Sequence, residues 1–296
     1  MNDNNGEQFN LVRKYGTEGG REYVQYLHES DPTEGTKAIK LVFLASKHTG
    51  VLALRPITNH QDLDLSPQKR EVADAFLAYA YLVRRSICTN LEVESRELTA
   101  GYRIRPGTAS TAPASQVFFS ETLDNGAGYC NYLNSDAGRA IANTALKTTF
   151  LPDGELYRIL TAPAHDEYCQ RSCYDCIRAY DNQHEHRRLF WRLGLDIAHI
   201  MLDQNYFPSL VSTKHWRFQL KETCLRLRNR NPSFDLIPIE GVTILLMGEH
   251  SGFMIVHPLW SSAFVETLLD AKRERYPENV VIKPRSIIDL QVSSEL

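Results

Sequence analysis

No stretch of this chain stays apolar for the roughly 18 residues that a membrane-spanning helix needs. Its polar start, Met1-Asn-Asp-Asn-Asn-Gly6, lacks the apolar core of a signal peptide. Neither sign of charge is in large excess. A net charge of -3 over 296 residues argues against a wholesale polyanion binder, although a local basic face stays open. The phosphate-cradling pattern G-x-x-x-x-G-K-[ST] is absent and no acidic box follows a strand, so no ATPase motor is visible. Internal repeats and a coiled-coil register are missing too. What remains is ordinary for a globular protein, 43% hydrophobic and 23% charged, and long enough for one large domain or two smaller ones. Cysteine is scarce, at six residues, but three of the six fall within eight positions. A cytoplasmic location is the expectation, and there clustered cysteines are metal ligands before they are disulfides.

The pattern of apolar residues predicts a mixed α+β chain with helices packed around a zinc knuckle. Residues 1–37 are polar and Gly-rich. Leu41–Ser46 and Val51–Pro56 are expected as two strands around a tight turn. Ser66-Pro67 supplies a cap and a first-turn proline for an amphipathic helix over 67–89. Two further strands are expected near 99–104 and 116–120, then a glycine turn at Gly126 and Gly128 opening a helix through 146. A helix over 153–161 leads into the cysteines. An apolar helix of about five turns runs from Leu189 to Leu202. Pro232 marks a break, and residues 231–296 follow as a separate β-β-α-β unit. The central domain is then 38–230.

Cys169-x3-Cys173-x2-Cys176 crowds three thiols, and soft sulfur ligands held so close favour zinc or an iron–sulfur cluster. A closed structural zinc site wants a fourth ligand. Cys130, after the glycine turn, is the preferred candidate, because closing the intervening loop costs entropy that grows only slowly with length. His165, four residues before Cys169, is the alternative. Asp166 or Glu167 would be the base of a catalytic metal site, but nothing in the sequence positions either one.

After the knuckle come Arg178, Tyr180, Asn182, Gln183 and His186, then Arg187, Arg188 and Arg192. Arginine and tyrosine suit phosphates and bases, and Asn and Gln can make paired amide contacts. Residues 169–230 hold eleven Lys/Arg against six Asp/Glu, an asymmetry expected of a face for DNA or an acidic partner. Polar residues after a knuckle also cap helices, and that competing reading is open. Ser46 and His48 lack an acid partner and are read as structural; so is His257, expected to stack on Pro258. Gly126 and Gly128 are read as serving a sharp turn.

The run Cys169-Gln-Arg-Ser-Cys-Tyr-Asp-Cys-Ile-Arg-Ala-Tyr-Asp-Asn-Gln183, with His186 and Trp191-Arg-Leu-Gly-Leu-Asp196, resembles the MrfA-type zinc-binding domain. Matching elements extend upstream, through Lys47–Pro56, Ala75–Leu82, Leu91–Leu98 and Phe119–Tyr129, so the likeness covers roughly residues 38–205. That domain ends certain superfamily-two DEAD/DEAH helicases and occurs in motor-less companions such as the DrmB subunit of DISARM anti-phage systems. The resemblance implies that Cys169, Cys173 and Cys176 bind Zn2+, with Cys130 matching a cysteine often found after the glycine turn. Some relatives carry a cysteine two residues before the first of the cluster, where this chain has Glu167. Many carry Asp before the tryptophan, where it has Phe190. The implied role is a non-catalytic accessory subunit, partnered by a helicase and DNA, in anti-phage defence or DNA repair. Two rivals are a zinc-stabilised interaction scaffold that never touches DNA and a stand-alone metal-dependent hydrolase or nuclease.

Overall fold

In the computed structural model, the structure describes residues 11–15, 22–26, 49–56, 60–108, 112–123, 126–239, 241–247, 250–271, 273 and 279–292. The expected strand Leu41–Ser46, with Ser46 and His48, lies outside them. Two compact units divide the chain, residues 1–48 and 49–296. In the first, β1 (Leu11–Tyr15) and β2 (Glu22–Tyr26) pair antiparallel. In the second, the cysteine cluster and residues 231–292 share one compact unit.

The second unit is organised around α1 (Arg70–Leu91). No glycine or proline interrupts this helix, and Ala75, Ala78 and Ala80 cost little on a packed face. It is buried almost all round, from Val72 to Cys88. The helix ends where Glu92 turns left-handed, at φ 56°, and its N–H meets the Cys88 and Thr89 carbonyls.

One side of α1 is covered by an antiparallel sheet in the order β3 (Val51–Leu54), β5 (Ala114–Glu121), β4 (Leu98–Arg105). The two-residue period of β5 turns Ser115, Val117 and Phe119 inward. Against α1 also packs α6 (Trp191–Leu202). The helices meet closely at Gly194, where an added Cβ would lie 2.9 Å from the backbone of Ala78 and Tyr79. At twelve residues α6 is about three turns, shorter than the expected five. The cause is upstream: Phe190 is extended (φ -120°, ψ 97°), and Tyr180–Glu185 forms a separate 3-10 turn.

The glycine turn leads into α2 (Tyr129–Asn134) and α3 (Asp136–Phe150), followed by α4 (Glu155–Leu160) and α5 (Pro163–Tyr168). Gly126 and Gly128 have positive φ, and the Glu121 carboxylate accepts from the Gly128 and Cys130 N–H groups at 2.8 and 3.0 Å. A protein carboxylate thus takes the place a phosphate would need, as suits glycines serving a turn. Beyond α6, α7 (Lys214–Arg230) leads to a second sheet in the order β6 (Phe234–Ile239), β7 (Val242–Met247), β8 (Ser251–Val256), β9 (Val281–Ser286). The β8–β9 pair is parallel and α8 (Ser262–Ala271) lies between them; α9 (Ile287–Val292) follows. The fold is α+β, as the apolar pattern implied. It adds β1, β2, α5, α7, β6 and α9. Among the described residues no helix is long and apolar enough to cross a membrane.

Candidate metal centre

Pro163 opens α5 at its first turn, where its missing N–H costs nothing. The helix is one and a half turns long and its last backbone bond runs from Cys169 N–H to His165 O, at 2.8 Å. His165 and Cys169 are therefore stacked one turn apart on the same face. The chain then reverses. Cys176 N–H and Arg178 N–H both reach the Cys173 carbonyl, at 3.2 and 2.9 Å, and Cys173 N–H points at Cys176 Sγ at 3.0 Å. A backbone N–H aimed at sulfur stabilises a thiolate there.

These local bonds bring one ligand atom each from His165, Cys169, Cys173 and Cys176 within 4.8 Å of one another. The Cys169–Cys176 sulfurs are 3.8 Å apart, the Cys173–Cys176 pair 3.6 Å, and His165 Nε2 lies 3.4 Å from Cys173 Sγ. No disulfide joins them. Metal–ligand distances of about 2.3 Å to sulfur and about 2.0–2.1 Å to nitrogen place tetrahedral sulfurs about 3.8 Å apart, with nitrogen about 3.5 Å from sulfur. Three of the pairs already stand at these distances, and the donor set is that of a tetrahedral site. His165 Nδ1 donates to the Leu160 carbonyl at 2.9 Å, which fixes the tautomer and leaves the Nε2 lone pair facing the sulfurs.

The protonation states show the same need. Hydrogen bonding from Cys169 outweighs burial and draws the Cys176 thiol down to about 4, with further help from His165. The Cys169 thiol is pushed far up by its bond to Cys176 and by burial, and burial raises Cys173 as well. The three thiols thus compete for charge in one buried place. A cation would replace those protons and satisfy all three sulfurs.

Cys130, the preferred fourth ligand from the sequence, is elsewhere. Its N–H is held by Glu121 and its Sγ lies 3.4 Å from the Phe119 carbonyl, in the core beneath β5. His165 stands in the cluster in its place. Neither expected base is poised for chemistry: Asp166 is ion-paired with Arg192, and Glu167 is exposed and outside the group.

The knuckle is clamped from behind. Trp191 Nε1 donates to the Cys169 carbonyl at 2.9 Å, and its ring lies 5.2 Å from that of His165. Arg192 is 2% exposed and every guanidinium nitrogen is bonded. Nε meets His215 O, Nη1 meets the Cys169 and Gln170 carbonyls, and Nη2 meets the carbonyl and carboxylate of Asp166. No face of Arg192 is left for a phosphate. Three more expected contacts have partners within the chain. Asn182 is fully buried: its Oδ1 takes the Ala179 N–H and its Nδ2 gives to Ile177 O, so it folds the loop back on itself. His186 Nε2 donates to Asn182 Oδ1 and Ala179 O. Arg188 is ion-paired with Asp74 of α1 at 2.8 Å. Two further ties, Tyr81 to Glu185 and Arg84 to Asp181, both at 2.5 Å, fasten this segment along α1. Tyr180, Gln183 and Arg187 are exposed, and Arg178 is half-buried with Nε on Ser172 Oγ.

A second polar cluster had no signature in the sequence. Asp196, wholly buried on α6, accepts from Tyr206 and His215 on one oxygen and from Trp216 and His257 on the other, at 2.8–3.1 Å. Burial opposes the charge, but His215 and then His257 hold its pKa well below the usual 3.8. His257 thus serves the interior as a carboxylate partner. Its four donors lie 10 to 61 residues away in sequence, so only the fold brings them together.

No protein-family model matches this chain, and no curated protein matches it. Among solved structures it is similar to a DUF1998 helicase, MrfA, crystallised with bound DNA. The identity is 13% and the TM-score 0.30, over 63% of this chain and 20% of that one, so the chain spans about one fifth of that protein's length.

Proposed function

We propose that this chain is a zinc-binding, motor-less accessory subunit of a helicase-containing complex that acts on DNA in bacterial anti-phage defence or DNA repair. The observation carrying the proposal is the four-ligand cluster, His165, Cys169, Cys173 and Cys176, set in the Cys-Tyr-Asp-Cys-Ile-Arg-Ala-Tyr-Asp-Asn-Gln run. Zinc there would supply folding energy, since the ligands are gathered only in the folded chain. Three cysteines and a histidine fill four positions, so none stays open for a substrate, which weighs against the hydrolase reading. The chain works in the reducing cytoplasm, with its thiols held by the metal. DNA is met next to the knuckle by the half-buried Arg178 and the exposed Tyr180, Gln183 and Arg187.

The test is a metal count combined with DNA binding over a salt series. The expected result is one zinc per chain and an affinity that falls with salt, with a logarithmic slope of about -2 for two to three phosphate contacts. A folded, zinc-loaded protein with no DNA affinity at low salt would sink the DNA half. The scaffold reading would then stand, favoured by Asn182, His186, Arg188 and Arg192 all being engaged inside the protein. Co-purification with a helicase would support it.

A further inference from the structure

A cleft of about 340 Å3 opens between α1 and the knuckle, lined by Arg84, Arg85 and Arg178 with Thr89, Ser95 and Tyr174 among its other walls. No carboxylate side chain lines it. Arg84 is neutralised by Asp181. The other two cations are held by neutral groups: Arg85 by the Asp175 and Cys176 carbonyls, Arg178 by the Ser172 hydroxyl. Among the described residues neither Arg85 nor Arg178 has an ion-pair partner. Two guanidinium groups are therefore fixed in direction, uncompensated in charge, and turned to one concave surface. That suits an anion with several acceptor oxygens.

Tyr174 stands on the rim of the same cleft. It is the second residue of the turn from Cys173 to Cys176, so the ligands on either side pin its backbone. Its ring meets His186 edge-on at 5.7 Å, yet 66% of the residue is exposed. Tyr180, two residues beyond Arg178, is 87% exposed. Rigidly mounted aromatic rings beside arginines are what unpaired bases stack on, whereas a duplex hides its base faces and offers only groove edges and phosphates.

We infer that this cleft binds a single nucleic-acid strand, seating a backbone phosphate between Arg85 and Arg178 and stacking an unpaired base on Tyr174. The inference rests on the DNA-binding reading above and narrows it to a strand type and a place.

The experiment uses the full, zinc-loaded chain and measures fluorescence anisotropy with a labelled oligothymidylate and with a duplex of equal length. Tyr174→Ala should weaken binding of the single strand by about five- to 150-fold, the range for losing one stacked base, with duplex binding unchanged. Tyr174→Phe should keep the affinity, because the ring and not the hydroxyl does the stacking. Arg178→Gln should flatten the salt slope on the single strand by about 0.7. Zinc content and melting temperature establish that each variant is folded. Single-strand affinity unmoved in a folded Tyr174→Ala protein, or equal loss in Tyr174→Phe, would overturn the inference. So would a wild-type protein that prefers the duplex. In those cases salt-dependent binding would persist and the broader DNA reading would survive; no binding to either form would remove both.

Discussion

Replacing Asp196 with alanine should be among the most damaging single changes outside the metal ligands. The carboxylate accepts four bonds in a wholly buried setting, from Tyr206, His215, Trp216 and His257. Each donor stranded without water costs about 1–3 kcal/mol, so a naive sum runs to roughly 4–12 kcal/mol. Relaxation and shared partners reduce it, and removing one member of a buried charged cluster typically costs about 3–5 kcal/mol. Against a whole stability of about 5–15 kcal/mol, this corresponds to a drop in melting temperature of roughly 6–20 °C. Asp196→Asn should be milder. It keeps one acceptor oxygen, and His215 can move its proton to Nδ1, which has no partner in the folded state. His257 cannot follow, because its Nδ1 accepts the Leu259 N–H at 3.2 Å. The pH dependence has a definite sign. The folded pKa of Asp196 lies below its unfolded value, so its stabilisation is fully present above about pH 5. It is lost as pH falls below about 4. Urea denaturation of wild type and both variants from pH 7 to pH 3 reads all of this. A loss under about 1 kcal/mol for Asp196→Ala at pH 7, or a gap to wild type that widens on acidification, would refute the reasoning.

Three further outcomes are expected. Cys130→Ser should retain one zinc per chain while His165→Ala and Cys173→Ser lose it or bind it far more weakly, as read by metal analysis after chelator challenge; the reverse order would restore Cys130 as the ligand. Arg192→Lys should cost about 2–4 kcal/mol in thermal denaturation, because an ammonium cannot reach five acceptors spread over His215, Asp166, Cys169 and Gln170, yet the salt slope of DNA binding should not change. Gly194→Ala should cost about 1–3 kcal/mol by forcing α6 away from Ala78 and Tyr79, and a neutral result would mean the two helices are less tightly apposed than their backbones indicate.

The elements legible in the sequence were those whose buried face is apolar. α1 shows an unbroken helical spacing of apolar residues, and the burial of β5 alternates as far as Phe119. α7 escaped because its buried face is built from His215, Trp216, Gln219 and Thr223 as much as from Cys224 and Leu227, so its period is masked by polar side chains that find partners inside. β6 escaped because Pro238 argues against a central strand. It lies at the edge of its sheet, where a missing N–H is tolerated on the outer side.

The Cys/His cluster was legible to three members of four for a related reason. Spacing along the chain reports the Cys173–Cys176 turn directly, because three residues is the length of the turn itself. The fourth ligand depended on whether the chain before Cys169 was helical. The expected helix ended at 161, leaving His165 in a connection of no defined direction, and Cys130 then looked equally reachable. Pro163 carried the missing signal: a proline at the first turn of α5 starts a new helix, and a helix from there sets His165 one turn before Cys169. In the basic segment after the knuckle, what the sequence hides is the partners. Arg188 and Arg192 have the composition of phosphate contacts, but Asp74 sits on α1 and Asp166 on α5, both far away in sequence. A basic residue is available to DNA only if the fold brings it no carboxylate. Arg85 and Arg178 meet that condition, and Arg85 lies on a helix that composition marks only as core.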